Sequence, residues 1–176
     1  MIRIARTLAL ALLPLTAAAA PAIDACALLK AEQIADVIGQ PVEAGVRRDS
    51  GLEENGAYSS SCVWLLTAEK ALPRPRSLVI LNALQFPYGS GRAHEFLDTF
   101  REAADSGVLA NAPVARRFGD EALWWGDGLA VRRHDVSFGL SVYLPKSPAA
   151  KPGAREEQLA PLVLAQIDRR KTSQRL

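Results

Sequence analysis

Residue types able to do chemistry are few in this sequence of 176 residues, and their spacing suits catalysis poorly. His94 and His134 are the only two histidines. One falls on an expected helix and the other in an expected turn, so the chain holds neither a His-x-x-x-His pair nor a His-rich metal site. Each reads more simply as a surface residue than as a base or ligand. Ser59, Ser60 and Ser61 supply hydroxyls, but no nucleophile elbow surrounds them and either histidine is distant in sequence. Asp120 and Glu121 are adjacent, and neighbours on an extended strand point to opposite faces, which separates them for acid and base work. Gly89-Ser90-Gly91-Arg92 precedes an expected helix and could hold an anion on free backbone amides. It matches no phosphate-loop pattern, and an ordinary capped turn accounts for it more simply. No catalytic residue, cofactor or metal site is expected.

Cys26 and Cys62 have a clearer use, which follows from where the chain is sent. Met1 to Ala22 has the layout of a secretory signal: Arg3 and Arg6 form a positive start, Leu8 to Leu15 is apolar, and Thr16 to Ala22 is nearly all alanine. The cut is expected between Ala18 and Ala22. The apolar run is too short to span a bilayer and no second run follows, so no stable membrane span is expected. Lipid attachment at Cys26 is disfavoured because Ile23-Asp24-Ala25 precedes it. In an oxidising compartment two cysteines with no third competitor pair, and a metal pair or reactive thiol lacks its companions. Closing a loop of about 35 residues would stabilise the fold by about 3–4 kcal/mol.

Loss of the leader removes Arg3 and Arg6 and no acid, which brings the 21 basic residues level with the 19 acidic ones. A near-neutral domain lacks the field that attracts phosphates, so nucleic acid is not expected as a partner. Arg169, Arg170, Lys171 and Arg175 cluster at the end of the last helix, where they suit the negative end of its dipole. Residues 171–176 read as a basic tail.

Residues 23–170 then form one domain of ordinary size. Asp24 caps a first helix that runs to Gly39, with Ile34, Val37 and Ile38 on one face and Pro41 preventing resumption. Arg47 to Ser61 is charged and punctuated by glycine, and reads as a mobile loop. Cys62 to Thr67 and Ser77 to Leu84 read as paired strands, the second central. Ser90 caps a helix to about Asp105 that buries Phe96 and Phe100.

Glu121 to Trp125, Leu129 to Arg133 and Val136 to Leu144 form a meander. A two-residue His134-Asp135 turn sets Val131 opposite Phe138 and Leu129 opposite Leu140. A three-residue Gly126-Asp127-Gly128 turn sets Trp125 opposite Leu129 and Leu123 opposite Val131. That register puts Trp124, Ala130, Arg132, Gly139, Ser141 and Tyr143 on the face away from the core. Two readings stay open for it. The Trp124 indole covers bare backbone at Gly139, or Trp124, Arg132 and Tyr143 form an amphipathic platform for an apolar ligand or a partner's segment. Arg155 to Arg170 is the last helix, with Pro161 marking a break or a start. The fold class is α+β: a mostly antiparallel sheet with helices packed on it, a possible helix-strand-strand-strand duplication, and a C-terminal helix.

Cys26-Ala27-Leu28-Leu29 followed by Glu32-Gln33-Ile34 and Gly39, then Cys62-Val63-Trp64, then Gly119-Asp120-Glu121-Ala122-Leu123-Trp124 ahead of a hairpin, give the chain a likeness. It resembles exported domains of unknown function common among bacterial envelope proteins, many of them lipoproteins. It departs from them in lacking a lipobox, and in Lys30 where they often carry a helix-capping Thr or Ser. The resemblance implies the disulfide and a noncatalytic envelope role, and it supplies no catalytic residue. The expected function is therefore a binding or interaction module, periplasmic or extracellular, whose partner is an envelope protein or a small apolar ligand. The alternatives are a hydrolase of wall or peptide substrates and an inhibitor or immunity-type protein.

Overall fold

The computed structural model describes residues 22–73, 76–145 and 151–173. The expected leader lies outside these residues except for Ala22. The N-terminal helix is two helices, α1 (Ala25–Leu28) and α2 (Ala31–Ile38). Asp24 caps the first by accepting from the Cys26 N–H at 2.9 Å. Leu29 and Lys30 are extended, and Gln33 accepts the Lys30 N–H at 3.0 Å, so its side chain restarts the helix where no Ser or Thr stands. Gly39 closes α2 with φ of 76°, a left-handed position that glycine takes without strain.

Seven strands follow: β1 (Val46–Leu52), β2 (Tyr58–Leu65), β3 (Leu78–Gln85), β4 (Val114–Arg116), β5 (Glu121–Trp124), β6 (Leu129–Arg133) and β7 (Val136–Tyr143). They make one sheet in the order β1-β2-β3-β7-β6-β5-β4, and every neighbouring pair is antiparallel. β3 and β7 meet at the centre. Outward from them lie β2 and β1 on one side and β6 and β5 on the other, the arrangement an internal duplication of three strands gives. The helices do not follow it: α2 packs on one face of the sheet and α3 (Glu95–Asp105) on the other.

The stretch expected as a mobile loop, 47–61, is instead β1 and the start of β2. β1 is an edge strand exposed along nearly all its length, so it carries no apolar alternation. Its Arg47, Arg48 and Asp49, and a break in register between Asp49 and Gly51, are features that keep an edge from pairing with another chain.

The larger core lies between the sheet and α1, α2 and α4 (Ala154–Ser173), with Trp64, Leu81, Phe138 and Leu140 each under 2% exposed. Cys26 and Cys62 are joined there by a disulfide that ties α1 to β2, with Cα atoms 5.1 Å apart. α4 runs unbroken through Pro161 and on to Ser173, so the residue expected to mark a break does not, and the first half of the expected tail is helix. Pro161 is on the exposed side. Burial of Leu159, Val163 and Ile167 opposite it contributes about 1.5–3 kcal/mol each, which outweighs a proline cost of about 3 kcal/mol.

The β6–β7 turn is the expected two-residue one, and Val131 and Leu129 stand opposite Phe138 and Leu140. The β5–β6 register is one residue from expectation. Trp124 pairs with Leu129, Leu123 with Ala130 and Ala122 with Val131. The Trp125 N–H donates to the Gly128 carbonyl at 3.1 Å, so the turn has two central residues, Gly126 and Asp127, with Gly126 at φ of 112°. A one-residue shift turns every side chain of β5 to the other face.

Candidate functional site

This register takes apart the expected platform. Trp124 points into the larger core and lies on Gly153, where an added Cβ would sit 2.9 Å from the indole. Arg132 is on the opposite face, paired with Glu121 at 3.4 Å and Asp120 at 3.6 Å. Tyr143 shares that face and is 42% exposed, but it is six residues along β7 from Ser137, the partner of Arg132. That is about 20 Å of strand. The three residues do not converge. The glycine-covering role belongs to Trp125, whose ring lies against Gly128 and, with Phe96, against Gly139.

The other residues of interest are structural. Ser60 is buried and accepts the Ala25 N–H at 3.0 Å, and the Ser61 hydroxyl donates to Asn82 at 2.6 Å. His94 is exposed, with Nδ1 2.8 Å from the Gly91 carbonyl. The amide of Gly89 already donates to the Asp135 carboxylate at 3.3 Å.

A concave site does form where β2 begins, β3 ends and the β6–β7 turn projects. It is an open cleft of about 500 Å³, bounded also by the last turns of α4 and by Ala22 and Ile23. Its position follows from the topology. β3 and β7 are central neighbours running in opposite directions, so the chain leaves β3 at Gln85 beside the point where it enters β7 at Val136. Two bonds from Asp135 hold the loop that follows β3: its carbonyl accepts the Phe86 N–H at 2.8 Å and its carboxylate accepts that of Gly89.

The floor is apolar, with Ile23, Phe86 and Ile167 each no more than 4% exposed. Tyr58 and Tyr88 stand on the wall and rim. The Tyr58 hydroxyl donates to Asp49 at 3.3 Å, and Tyr88 is 85% exposed. The acidic and basic lining groups are His134, Asp135, Arg170 and Lys171. Arg170 donates to the Ala22 carbonyl at 3.3 Å, which fastens the start of the domain to α4.

His134 has φ of 57°, the one non-glycine residue with positive φ among the described residues. Its conformation costs on the order of 1 kcal/mol and is held from outside. The His134 N–H donates to Asp120 at 2.7 Å, and its Nε2 lies 3.4 Å from Asp168. Arg133 joins both acids, with a forked pair to Asp168 at 2.9 and 3.1 Å and a bond to Asp120 at 3.2 Å. The Arg133 guanidinium holds the Asp168 carboxyl below its ordinary range. Burial pushes Asp120 up, but the bonds from His134 and Arg133 outweigh it and leave that acid lowered as well. This network fixes the turn against α4 and so sets the width of the cleft.

The arrangement offers a concave surface able to bind. His134 has an acid beside it, yet no Ser, Thr or Cys is among the lining residues. No group of three or more His, Cys, Asp or Glu able to hold a metal occurs among the described residues. No described helix is long and apolar enough to cross a membrane. The cleft was not readable from the sequence because its lining comes from five separated segments. The one local signal is the aromatic content of Phe86-Pro87-Tyr88 beside a glycine-rich turn. Compared with known protein families, with curated proteins and with solved structures, the chain matches none.

Proposed function

We propose that this chain is an exported, noncatalytic binding module of the bacterial cell envelope, and that it takes a small, largely apolar ligand in the cleft between α4 and the β6–β7 turn. The cleft itself carries the reading. A concavity of about 500 Å³ with a buried apolar floor and a few polar groups at its edge is the common form of a small-molecule site. Export is supported by the leader pattern of residues 1–22, by the Cys26–Cys62 bond and by the likeness to exported envelope domains.

The test is the mass of the protein purified gently from its own envelope, measured under native and denaturing conditions. The expected denatured mass starts between residues 19 and 23 and is two hydrogens light. The native mass is expected to carry extra material that denaturation releases and that an Ile167→Trp variant, with the cleft filled, does not hold. Extra mass that survives in Ile167→Trp would put the ligand elsewhere. A native mass with nothing added would sink small-molecule binding and leave a protein partner.

A further inference from the structure

We infer that the ligand of this cleft is an amphipathic anion, with an apolar body on the Ile23, Phe86 and Ile167 floor and one acidic head at the end of α4, held by Lys171. The inference rests on the cleft being the binding site, as proposed above. An apolar floor offers few hydrogen bonds to a sugar or a peptide backbone, and burying such groups unpaired is costly. What the cleft does offer a polar group is positive charge on one side. Lys171 forms no ion pair or side-chain hydrogen bond with any described residue; Arg48 and Arg117 share that state, but they do not line the cleft, and Lys171 does. An ammonium at the mouth of an apolar cleft binds a carboxylate more strongly than it does in open water.

The single acid of the lining fixes which way the ligand lies. Asp135 stands at the β6–β7 turn, with one oxygen taken by the Gly89 N–H. It repels a second anion there, so the head lies at the α4 side. The ordinary role of Lys171 is to complement the negative end of the α4 dipole, and that role predicts no ligand selectivity.

Titration calorimetry of the exported protein with octanoate, octan-1-ol and octyltrimethylammonium separates these cases. One octanoate per chain is expected, with octanol at least about tenfold weaker and the cation weaker still. Lys171→Gln is expected to weaken octanoate by about tenfold and leave octanol unchanged. Equal binding of octanoate and octanol, with Lys171→Gln silent, overturns the inference and leaves the cleft as an apolar site. No binding of any probe, together with an Ile167→Trp protein that behaves as wild type, removes both. Binding to phosphatidylglycerol vesicles but not phosphatidylcholine ones, lost in Lys171→Gln and unaccompanied by octanoate uptake, assigns the cations to a membrane surface and overturns the inference.

Discussion

Trp124 and Trp125 are chain neighbours whose indoles cover glycines on opposite faces of the sheet. Trp124 lies on Gly153, at the entry to α4. Trp125 lies on Gly128 and Gly139 and stacks on Phe100 with ring centres 4.3 Å apart. Each helix layer is thus seated on the sheet by one tryptophan over bare backbone.

Gly128 tests the second of these seats. A Cβ there would fall 2.3 Å from the Trp125 ring and 2.5 Å from the Ser141 hydroxyl. Gly128→Ala is expected to cost about 1–3 kcal/mol by overpacking. In a Trp125→Ala background the ring's share of that cost is expected to vanish, leaving only the contact with the Ser141 hydroxyl, so the two losses are expected to be less than additive. Urea unfolding of the two single variants and the double variant gives the answer, and additive losses would contradict it.

Gly153 and Gly39 form a matched pair for the first seat. Both have positive φ, 81° and 76°, but nothing lies within 4 Å of a Cβ at Gly39. Gly39→Ala is expected to cost only the conformational penalty of about 1–2 kcal/mol. Gly153→Ala adds a collision with Trp124 and is expected to lose about 2–4 kcal/mol. Similar losses at the two sites would mean that Trp124 gives way freely.

These seats also mark what could be read in the sequence. β3, β6 and β7 were legible because their side chains alternate or are apolar on both faces, as central strands must be. β1 was not, because an edge strand has little to bury and carries charge instead. At β5 the run Ala122-Leu123-Trp124-Trp125 is apolar throughout, since both of its faces are covered. Hydrophobic pattern therefore could not choose between registers, and Gly126-Asp127-Gly128 fits a two-residue or a three-residue turn. The cleft was hidden for another reason: Tyr58, Phe86, His134 and Lys171 belong to different elements, and only the central β3–β7 pairing brings their ends together.

The Cys26–Cys62 bond closes a separation of 36 residues between α1 and β2. α1 has four residues, too few for a helix to hold alone. Replacing both cysteines with alanine is expected to cost about 3–4 kcal/mol. The loss should first appear as faster hydrogen exchange at Ala25 to Leu28, with β3 and β7 still protected. Uniform loosening of the whole sheet would show that the bond does more than anchor α1.

Glu156 gives the fold an unusual response to pH. It is 5% exposed in the first turn of α4, and it accepts the Val142 N–H at 2.9 Å where β7 has run past the end of β6. Burial pushes its carboxyl above the ordinary value of 4.5. Its contribution is therefore complete below about pH 4.5 and is lost as pH rises through the raised value. Asp120 and Asp168 act in the opposite sense. Their carboxyls are held below 3.8 by His134 and Arg133, so their contribution is present above about pH 4 and is lost as pH falls through the lowered values. The contributions of these three groups overlap on the acidic side of neutrality. Glu156→Gln keeps an oxygen for the Val142 N–H and removes the buried charge. It is expected to match or exceed wild-type stability at pH 7 while abolishing the decline above pH 4.5. Asp168→Asn is expected to flatten the acid limb by less than about 1 kcal/mol, since that pair is partly exposed. Urea midpoints for the three proteins from pH 3 to 8 decide the matter. A Glu156→Gln variant that is less stable than wild type at pH 7 would show that the ionised carboxylate holds α4 to β7 in spite of its burial.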